Sequence, residues 1–220
     1  MQFRELSYSN KDEWHELRRK GIGGSDAGVI AGVNDYKNIY QLWEEKTGRV
    51  VNNFKSELAQ RGNDLEPYIR QAYKIDNPDK EILEANKMYV HPNYDFIRAN
   101  LDGEIKFEGK IGILEIKTTT IVNYEIYKEK WLNNIPETYL YQILHYFLVT
   151  GYEFAVLVAD IRLKCFENLT PFDLEKRMMT KTINREDWEE EINDLLKKEI
   201  EFWECVKNDT PPHFIKKYGG

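Results

Sequence analysis

One stretch near the middle of the chain carries the side chains with the clearest chemical potential. Asp102 is followed by twelve residues with glycines at turn positions, and then by Glu115-Ile116-Lys117 at the end of an apolar run. Successive side chains of a strand point to opposite faces, so Glu115 and Lys117 share one face while Leu114 and Ile116 occupy the other. The pattern therefore predicts that two carboxylates and one ammonium group converge.

Two carboxylates held together repel each other unless a cation neutralises them. A hard divalent cation with oxygen ligands suits such a pair, and Mg²⁺ is the natural candidate, with Mn²⁺ as a substitute. The alternative is an ordinary surface hairpin with an Asp-Gly turn at Asp102 and a Glu–Lys pair on one face. The triplet by itself does not choose between these interpretations.

Further motifs stand at other points of the sequence. Glu66 lies in the segment Arg-Gly-Asn-Asp-Leu-Glu-Pro, which has helical periodicity, and Gln142 lies in an almost wholly apolar helical segment. Near the N-terminus, Arg18 precedes a Gly-rich turn that runs into Ser25 at a predicted helix start. Helix N-terminal amides next to glycines let an anion approach closely, so this turn resembles a phosphate cradle. It lacks the Gly-Lys-Ser/Thr ending of a nucleotide-hydrolysing loop.

These motifs, in this order, resemble the lambda-exonuclease-like (YqaJ-type viral recombinase) branch of the PD-(D/E)XK nucleases. The resemblance runs from about Trp14 to about Asp160. Two positions depart from the family pattern. Leu101 replaces the proline that commonly precedes the aspartate, and Asn100 replaces a small hydroxyl residue. The first change costs little, because proline there shapes a turn and binds nothing.

The resemblance implies a role for each residue of the acidic centre. Asp102 and Glu115 would hold metal, most simply two ions, together with the backbone carbonyl of Ile116. Lys117 would steer or help to deprotonate the attacking water. Glu66 would approach the metal directly or through a water molecule.

The resemblance also implies DNA contacts. Arg18 and Ser25 would bind the terminal 5′-phosphate, with Arg19 as the rival of Arg18. Gln142 would bind a DNA phosphate, although a backbone carbonyl in the core is the alternative partner for its amide. We expect His145, one turn later, to be a packed core histidine rather than a ligand.

The implied activity is 5′-to-3′ digestion of double-stranded DNA ends, which leaves 3′ single strands for a single-strand annealing protein. A ring-shaped homo-oligomer, often a trimer, would explain processivity, and an exposed patch among Tyr36, Trp43 and the last helix is a candidate for that assembly. Two alternatives stay open: a structure- or end-specific endonuclease, and a non-catalytic binding module on the same fold.

Composition sets broader limits. A chain of 220 residues with 41% hydrophobic content predicts one domain over 1–220, with a nuclease core at about 14–160 and further strands and a helix over 161–207. The absence of a long apolar run or a signal-peptide pattern predicts a soluble, cytoplasmic protein. Cys165 and Cys205 are too few for an iron–sulfur cluster with four thiolates and are expected to be reduced.

The net charge of −7 argues mildly against binding to a duplex, because such proteins usually show a basic excess on the binding face. It does not decide the matter, since bound cations reverse the local sign at an acidic site. Much of the acidity lies near the C-terminus. We expect these acids, Glu199 among them, on a solvated helix face.

Periodicity predicts an α/β fold, and the resemblance specifies a restriction-endonuclease-like central mixed β-sheet flanked by helices. Two helices are predicted, one on each side of the Gly-rich turn, and Ser9 caps the first. Further helices are predicted over 38–46, 58–73 and 137–149, and from a cap at Asn184 onwards. Within the helix over 58–73 we expect a bend or a fresh start near Asp64. Strands are predicted over 82–90, 96–101, 104–107, 113–118, 154–159, 162–165 and 174–183.

Overall fold

The computed structural model describes residues 3–50, 57–164 and 178–213. Its helices are α1 (Lys11–Arg19), α2 (Gly24–Ile30), α3 (Ile39–Lys46), α4 (Glu57–Asp76), α5 (Tyr124–Tyr127), α6 (Glu137–Thr150) and α7 (Glu189–Lys207). Its strands are β1 (Arg4–Leu6), β2 (Glu81–Leu83), β3 (Met88–Val90), β4 (Arg98–Ala99), β5 (Gly103–Phe107), β6 (Lys110–Ile121), β7 (Phe154–Leu163) and β8 (Met178–Asn184). A π-helical turn (Lys128–Leu132) follows α5, and a 3₁₀ turn (Arg185–Trp188) precedes α7.

A five-stranded mixed sheet in the order β2-β5-β6-β7-β8 carries the fold. Among its described strands, only β6 and β7 pair in parallel, and every other neighbouring pair is antiparallel. Parallel strands need a crossover connection, and α6 lies on that crossover. Because α6 packs against β-structure as well as α2 and α7, most of its surface is buried, which explains its nearly continuous apolar sequence.

The hairpin of β5 and β6 determines where the acidic residues lie. Its last register pair is Gly103 with Leu114, so the two residues beyond that pair are Asp102 and Glu115. Past this point β6 continues to Ile121, and β7 is the one described strand with which it pairs there. The strands therefore separate where the two carboxylates face each other.

A smaller sheet, in the order β1-β3-β4, fixes the N-terminal part of the chain. The α1–α2 turn, residues 20–23, is held against it by a parallel bridge between Ile22 and Ile97. The Ile22 amide donates to the Phe96 carbonyl at 2.6 Å, and the Arg98 amide donates to the Ile22 carbonyl at 2.9 Å. Backbone hydrogen bonds thus fix this turn to β4, next to the start of β5.

Several predicted elements differ in extent. Asn10, not Ser9, caps α1 with its side chain. The predicted strand over 82–90 is divided into β2 and β3, which belong to different sheets. The α4 helix runs through Pro67 without a fresh start near Asp64. Cys165 and residues 174–177 of a predicted strand lie outside the described residues.

Two side chains near the C-terminal helix contradict the expected exposure. Glu199 is fully buried, because it pairs with His145 inside the molecule. Trp43 is also buried, and its ring N–H donates to the Cys205 carbonyl at 3.3 Å. The prediction that Trp43 belongs to an exposed assembly patch is therefore wrong. Tyr36, from the same predicted patch, is 94% exposed.

The α7 helix begins after a 3₁₀ turn, and the side chain of Asn184 does not cap it.

None of the helices in the described parts of the chain is long and apolar enough to cross a membrane.

Candidate active site

Asp102, Glu115 and Lys117 meet where β5 and β6 separate. Glu115 is completely buried, and its Oε1 lies 2.5 Å from the Lys117 Nζ. Asp102 Oδ2 accepts the backbone N–H of Ile116 at 2.7 Å, so the aspartate is fixed directly to the strand that carries the other two residues. In an extended strand the N–H and C=O of one residue point towards the same edge, so the Ile116 carbonyl faces the Asp102 side.

The electrostatics of this group show that its acids are short of positive charge. Burial and the neighbouring Asp102 raise the pKa of Glu115 to about 8, against the opposing effect of Lys117. Burial also raises the pKa of Asp102. Burial opposes the charge on Lys117, but Glu115 and Asp102 raise its pKa above the usual value. One ammonium group therefore compensates two carboxylates only in part.

Gln142 approaches the acids from α6. Its Nε2 donates to Glu115 Oε1 at 2.6 Å and to the Tyr146 hydroxyl at 2.7 Å. The partners of the buried amide are thus an active-site carboxylate and a tyrosine, and neither is the backbone carbonyl considered from the sequence. Contact with a DNA phosphate stays a prediction. The approach of α2 to this part of α6 is so close that a Cβ on Gly24 would lie 2.5 Å from the Tyr146 ring.

An open cavity of about 530 Å³ connects the acids with the α1–α2 turn. Arg18 lines this cavity and donates from Nη2 to the Ser25 hydroxyl, while its guanidinium lies 5.1 Å from the centre of the Trp14 ring. Arg19 is exposed and does not line the cavity. One cavity thus connects both ends of the predicted site, and Arg18 lines it whereas Arg19 does not, while the binding of a 5′-phosphate by either residue stays a prediction.

A family model described as a YqaJ-like viral recombinase domain matches residues 13–153, well over half of the chain. The chain belongs to this family. The YqaJ protein of Bacillus subtilis (strain 168) is 37% identical over 203 residues, which cover 90% of this chain and 56% of that protein. The chain thus spans little more than half the length of this curated relative.

Solved structures support the fold of this YqaJ-family chain. An alkaline exonuclease from Laribacter hongkongensis superposes with a TM-score of 0.67 at 18% identity, covering 90% of this chain and 94% of that one. A phage-related exonuclease from Haemophilus somnus 129PT gives a TM-score of 0.56 at 14% identity, covering 86% and 94%. At these identities the similarity shows the fold alone, a mixed sheet flanked by helices.

Glu66 reaches the same cavity from α4, where its side chain bonds to a residue that the sequence did not single out. Arg70 Nη2 donates to Glu66 Oε1, one helical turn away, and Arg70 Nη1 donates to Glu84 at 2.7 Å. Burial and then the charge of Asp102 raise the pKa of Glu66. Arg70 thus positions Glu66 beside the acidic centre. An Arg four residues after a Glu on a helix is common, so no sequence signal selects it.

Asp26 and Lys46 form a buried ion pair under the α1–α2 turn of this YqaJ-family chain. Their charged atoms lie 2.7 Å apart, and Lys46 Nζ also donates to the Gly21 carbonyl at 2.7 Å. Asp26 Oδ2 accepts the Gly23 amide at 3.0 Å. Burial opposes the charge on Asp26, but Lys46 and Arg18 lower its pKa to about 2. The pair connects α3 to the turn, a link that no local sequence pattern indicates.

The donor set fits a hard divalent cation. In the described ranges 3–50, 57–164 and 178–213, no three His, Cys, Asp or Glu side chains form a ready-made metal cluster. Two carboxylates and the nearby carbonyl of Ile116 are nevertheless oxygen donors of the type that Mg²⁺ prefers. Glu115 Oε2 is buried and has no hydrogen-bond partner among the described residues, which is costly for a carboxylate oxygen. A cation beside Glu115 would satisfy this oxygen and relieve the repulsion from Asp102.

Proposed function

We propose that this chain is a Mg²⁺-dependent deoxyribonuclease that digests double-stranded DNA from its 5′ ends and leaves 3′ single strands. The observation that carries the proposal is the environment of the buried Glu115. Its carboxylate pairs with Lys117 and is repelled by Asp102, and among the described residues its second oxygen has no hydrogen-bond partner. Membership of the YqaJ-like viral recombinase family and the exonuclease fold support the choice of DNA as substrate.

We assign a role to each residue of the site from its position. Asp102 and Glu115, with the Ile116 carbonyl, would hold Mg²⁺, and Glu66 would approach it directly or through water. When bound, Mg²⁺ supplies a Lewis acid and lowers the pKa of water. Lys117, which the two acids hold as an ammonium ion, orients the attacking water and stabilises the negative charge that develops as the water loses its proton to solvent. Gln142 holds the Glu115 carboxylate and lines the cavity, and to donate to a DNA phosphate its amide would exchange one of its two hydrogen bonds, to Glu115 or to Tyr146.

The strand end would be bound at the other side of the cavity. Arg18 carries a guanidinium group, which recognises phosphate oxygens by paired hydrogen bonds. Ser25 lies in the first turn of α2, where the dipoles of the backbone amides also favour an anion. A terminal 5′-phosphate bound there would place the adjoining backbone over the acids, which would restrict the enzyme to ends.

A comparison of linear with closed circular plasmid tests this function. We expect the linear duplex to be degraded in Mg²⁺ or Mn²⁺, and EDTA to stop the reaction, because the oxygen donors bind no metal then. The circle should persist, since it offers no terminal phosphate. Nucleotide release and gel analysis measure both outcomes.

Two other results of the plasmid comparison would each indicate a different function. Cleavage of the closed circle would contradict a strict exonuclease and favour the endonuclease alternative. No cleavage of either DNA in Mg²⁺ or Mn²⁺ would favour a non-catalytic binding module.

Replacing Arg18 tests the capture of the strand end. We expect the wild-type protein to digest 5′-phosphorylated duplex faster than 5′-hydroxyl duplex, and Arg18→Ala to lower this preference about tenfold or more, because a hydrogen bond to a charged group contributes about 1.5–3 kcal/mol. Arg19→Ala is the matched control, since Arg19 is the neighbouring exposed arginine. Equal loss of preference in both variants would contradict the assignment of Arg18.

We further propose that the single strands pass to a single-strand annealing protein and that the enzyme acts as a homo-oligomer, with a trimer as the state to test by light scattering. A closed assembly around the duplex would keep the enzyme on its substrate through many cleavage steps. This step relies on the family resemblance.

A further inference from the structure

A buried ion pair behind the cavity has no role in the chemistry proposed above. His145 on α6 and Glu199 on α7 are both completely buried, and the His145 Nδ1 lies 2.7 Å from Glu199 Oε1. The other ring nitrogen, Nε2, lies 2.8 Å from the Arg98 carbonyl of β4. One imidazole ring therefore joins three elements of the fold.

The hydrogen-bond partners define the protonation of this ring. A backbone carbonyl only accepts hydrogen bonds, so Nε2 must carry a proton. The proton between Nδ1 and Glu199 belongs on the histidine, because imidazole is ordinarily the stronger base by about two pKa units. His145 is then an imidazolium ion that donates from both nitrogens, and its charge balances the buried carboxylate.

The surroundings of the ring agree with a positive charge. Glu199 faces it from α7, the Arg98 carbonyl from β4 and Asp26 from α2, while His91 approaches it after β3. Burial opposes protonation of His145, but Glu199 and the Arg98 carbonyl raise its pKa above the usual value. Burial and the charge of His145 lower the pKa of His91. Within the part of the chain that the structure describes, Glu199 Oε2 has no hydrogen-bond partner, so His145 is the principal compensation for this carboxylate.

The same ring is connected to both ends of the cavity. Three residues before it on α6, Gln142 binds Glu115. On the other side, Arg98 donates from Nη1 to the Leu17 carbonyl at 2.6 Å, and its amide donates to Ile22 in the α1–α2 turn. Leu17 immediately precedes Arg18, the residue proposed to bind the strand end.

We propose that His145 is a positioning residue, an imidazolium ion held by Glu199 and the Arg98 carbonyl, that fixes the Arg18 side of the cavity relative to Gln142 and the acids. The inference rests on the proposed function, because it assigns the ring a part in binding the 5′-phosphate. Loss of its charge would leave the elements in place but join them by weaker, neutral hydrogen bonds.

Glu199→Gln is the decisive variant, because it changes the charge while it keeps the shape. The amide introduced at this position can donate to Nδ1 of a neutral ring, and Nε2 can still donate to the Arg98 carbonyl, so the fold should persist. His145→Gln would instead leave Glu199 buried without a cation, and serves only to identify the His145 signal in spectra. Glu201→Gln is the matched control, since Glu201 is exposed on the same helix.

The first measurement is ¹⁵N NMR of histidine-labelled full-length chain at about pH 7.5, where an ordinary histidine is neutral. We expect the two ring nitrogens of His145 to have similar shifts, the signature of imidazolium, in the wild type and in Glu201→Gln. In Glu199→Gln the shifts should separate, as in a neutral ring. A neutral His145 ring in the wild type would overturn the proposal.

The second measurement is DNA binding in EDTA, which needs no catalysis. The affinity ratio between 5′-phosphorylated and 5′-hydroxyl duplex is expected to fall about fivefold in Glu199→Gln, a typical coupling between linked sites, and to stay constant in Glu201→Gln. An unchanged ratio in Glu199→Gln would overturn the positioning role. Failure of the nuclease proposal is seen separately, as absence of cleavage by the wild type in Mg²⁺.

Discussion

Lys117→Ala is expected to lower the rate of DNA cleavage by about 10²- to 10⁴-fold, the range that a positioned acid or base contributes. The substitution removes the ammonium group that lies 2.5 Å from Glu115 and that would serve the attacking water. The measurement is nucleotide release from linear duplex at saturating Mg²⁺, with thermal unfolding recorded in parallel to confirm that the variant is folded.

Lys110→Ala is the matched control for this experiment. Lys110 begins the same strand, β6, but its side chain is exposed and far from the acids in the register of the sheet. We expect its cleavage rate to equal that of the wild type. If Lys117→Ala retained wild-type activity while folded, the assignment of the lysine to the reaction would be wrong, whatever the family resemblance implies.

The loss in Lys117→Ala should have a second signature. Without the ammonium group, Asp102 and Glu115 lose their nearest positive charge, and the pKa of Glu115, already about 8, should rise further. The variant should therefore need a higher pH, or more Mg²⁺, before both carboxylates are ionised. A rate that recovers partly at high pH would separate this electrostatic effect from the missing role in water activation.

The acidic centre could be predicted from the sequence because its geometry is local. Asp102 and Glu115 flank one hairpin, so the register of β5 and β6 alone brings them together. Arg18 and Ser25 are likewise only seven residues apart and meet across one turn. In both cases a short piece of regular structure converts sequence spacing into spatial proximity.

The supports of the centre could not be predicted in this way. Glu199 and His145 are separated by 54 residues and lie on different helices, so only the packing of α6 against α7 pairs them. On α7, Glu199 stands three or four residues from Leu195 and Phe202, so helical periodicity places it on the buried face, and only its acidic side chain suggested a solvated position. The period of α3 places Trp43 inward beside Leu42, as observed, and only its naming in an exposed assembly patch was wrong, since its cover comes from the distant C-terminal helix.

Lys46→Met is expected to lower the free energy of unfolding by about 3–5 kcal/mol, because removing one partner of a buried ion pair leaves the other charge uncompensated. The side chains of Lys46 and Asp26 are only 7% and 8% exposed. Methionine keeps the apolar stem of lysine, so the change tests the charge and its hydrogen bonds to the α1–α2 turn. Urea unfolding of both proteins at neutral pH measures the difference.

Lys37→Met is the control, because Lys37 and Glu45 also lie 2.7 Å apart but are 30% and 23% exposed. An exposed ion pair contributes only about 0–1 kcal/mol, so this variant should resemble the wild type. Asp26→Asn added to Lys46→Met should recover part of the loss, since the amide oxygen still accepts the Gly23 N–H without carrying a charge. Equal, small losses in both lysine variants would contradict the importance of burial.

The pH dependence of this loss follows from Asp26. In the wild type its pKa is lowered to about 2, below the unfolded value, so its stabilisation is present above the unfolded pKa and is lost as the pH falls through about 2. Without Lys46, burial dominates and raises the pKa of Asp26, so the variant gains stability when the acid is protonated. The difference in unfolding free energy between the wild type and Lys46→Met should therefore narrow as the pH falls from neutral towards the unfolded pKa of Asp26.

Lys46 also binds the Gly21 carbonyl in the α1–α2 turn. At neutral pH, the loss of stability in Lys46→Met should therefore be accompanied by a weaker preference for 5′-phosphorylated DNA.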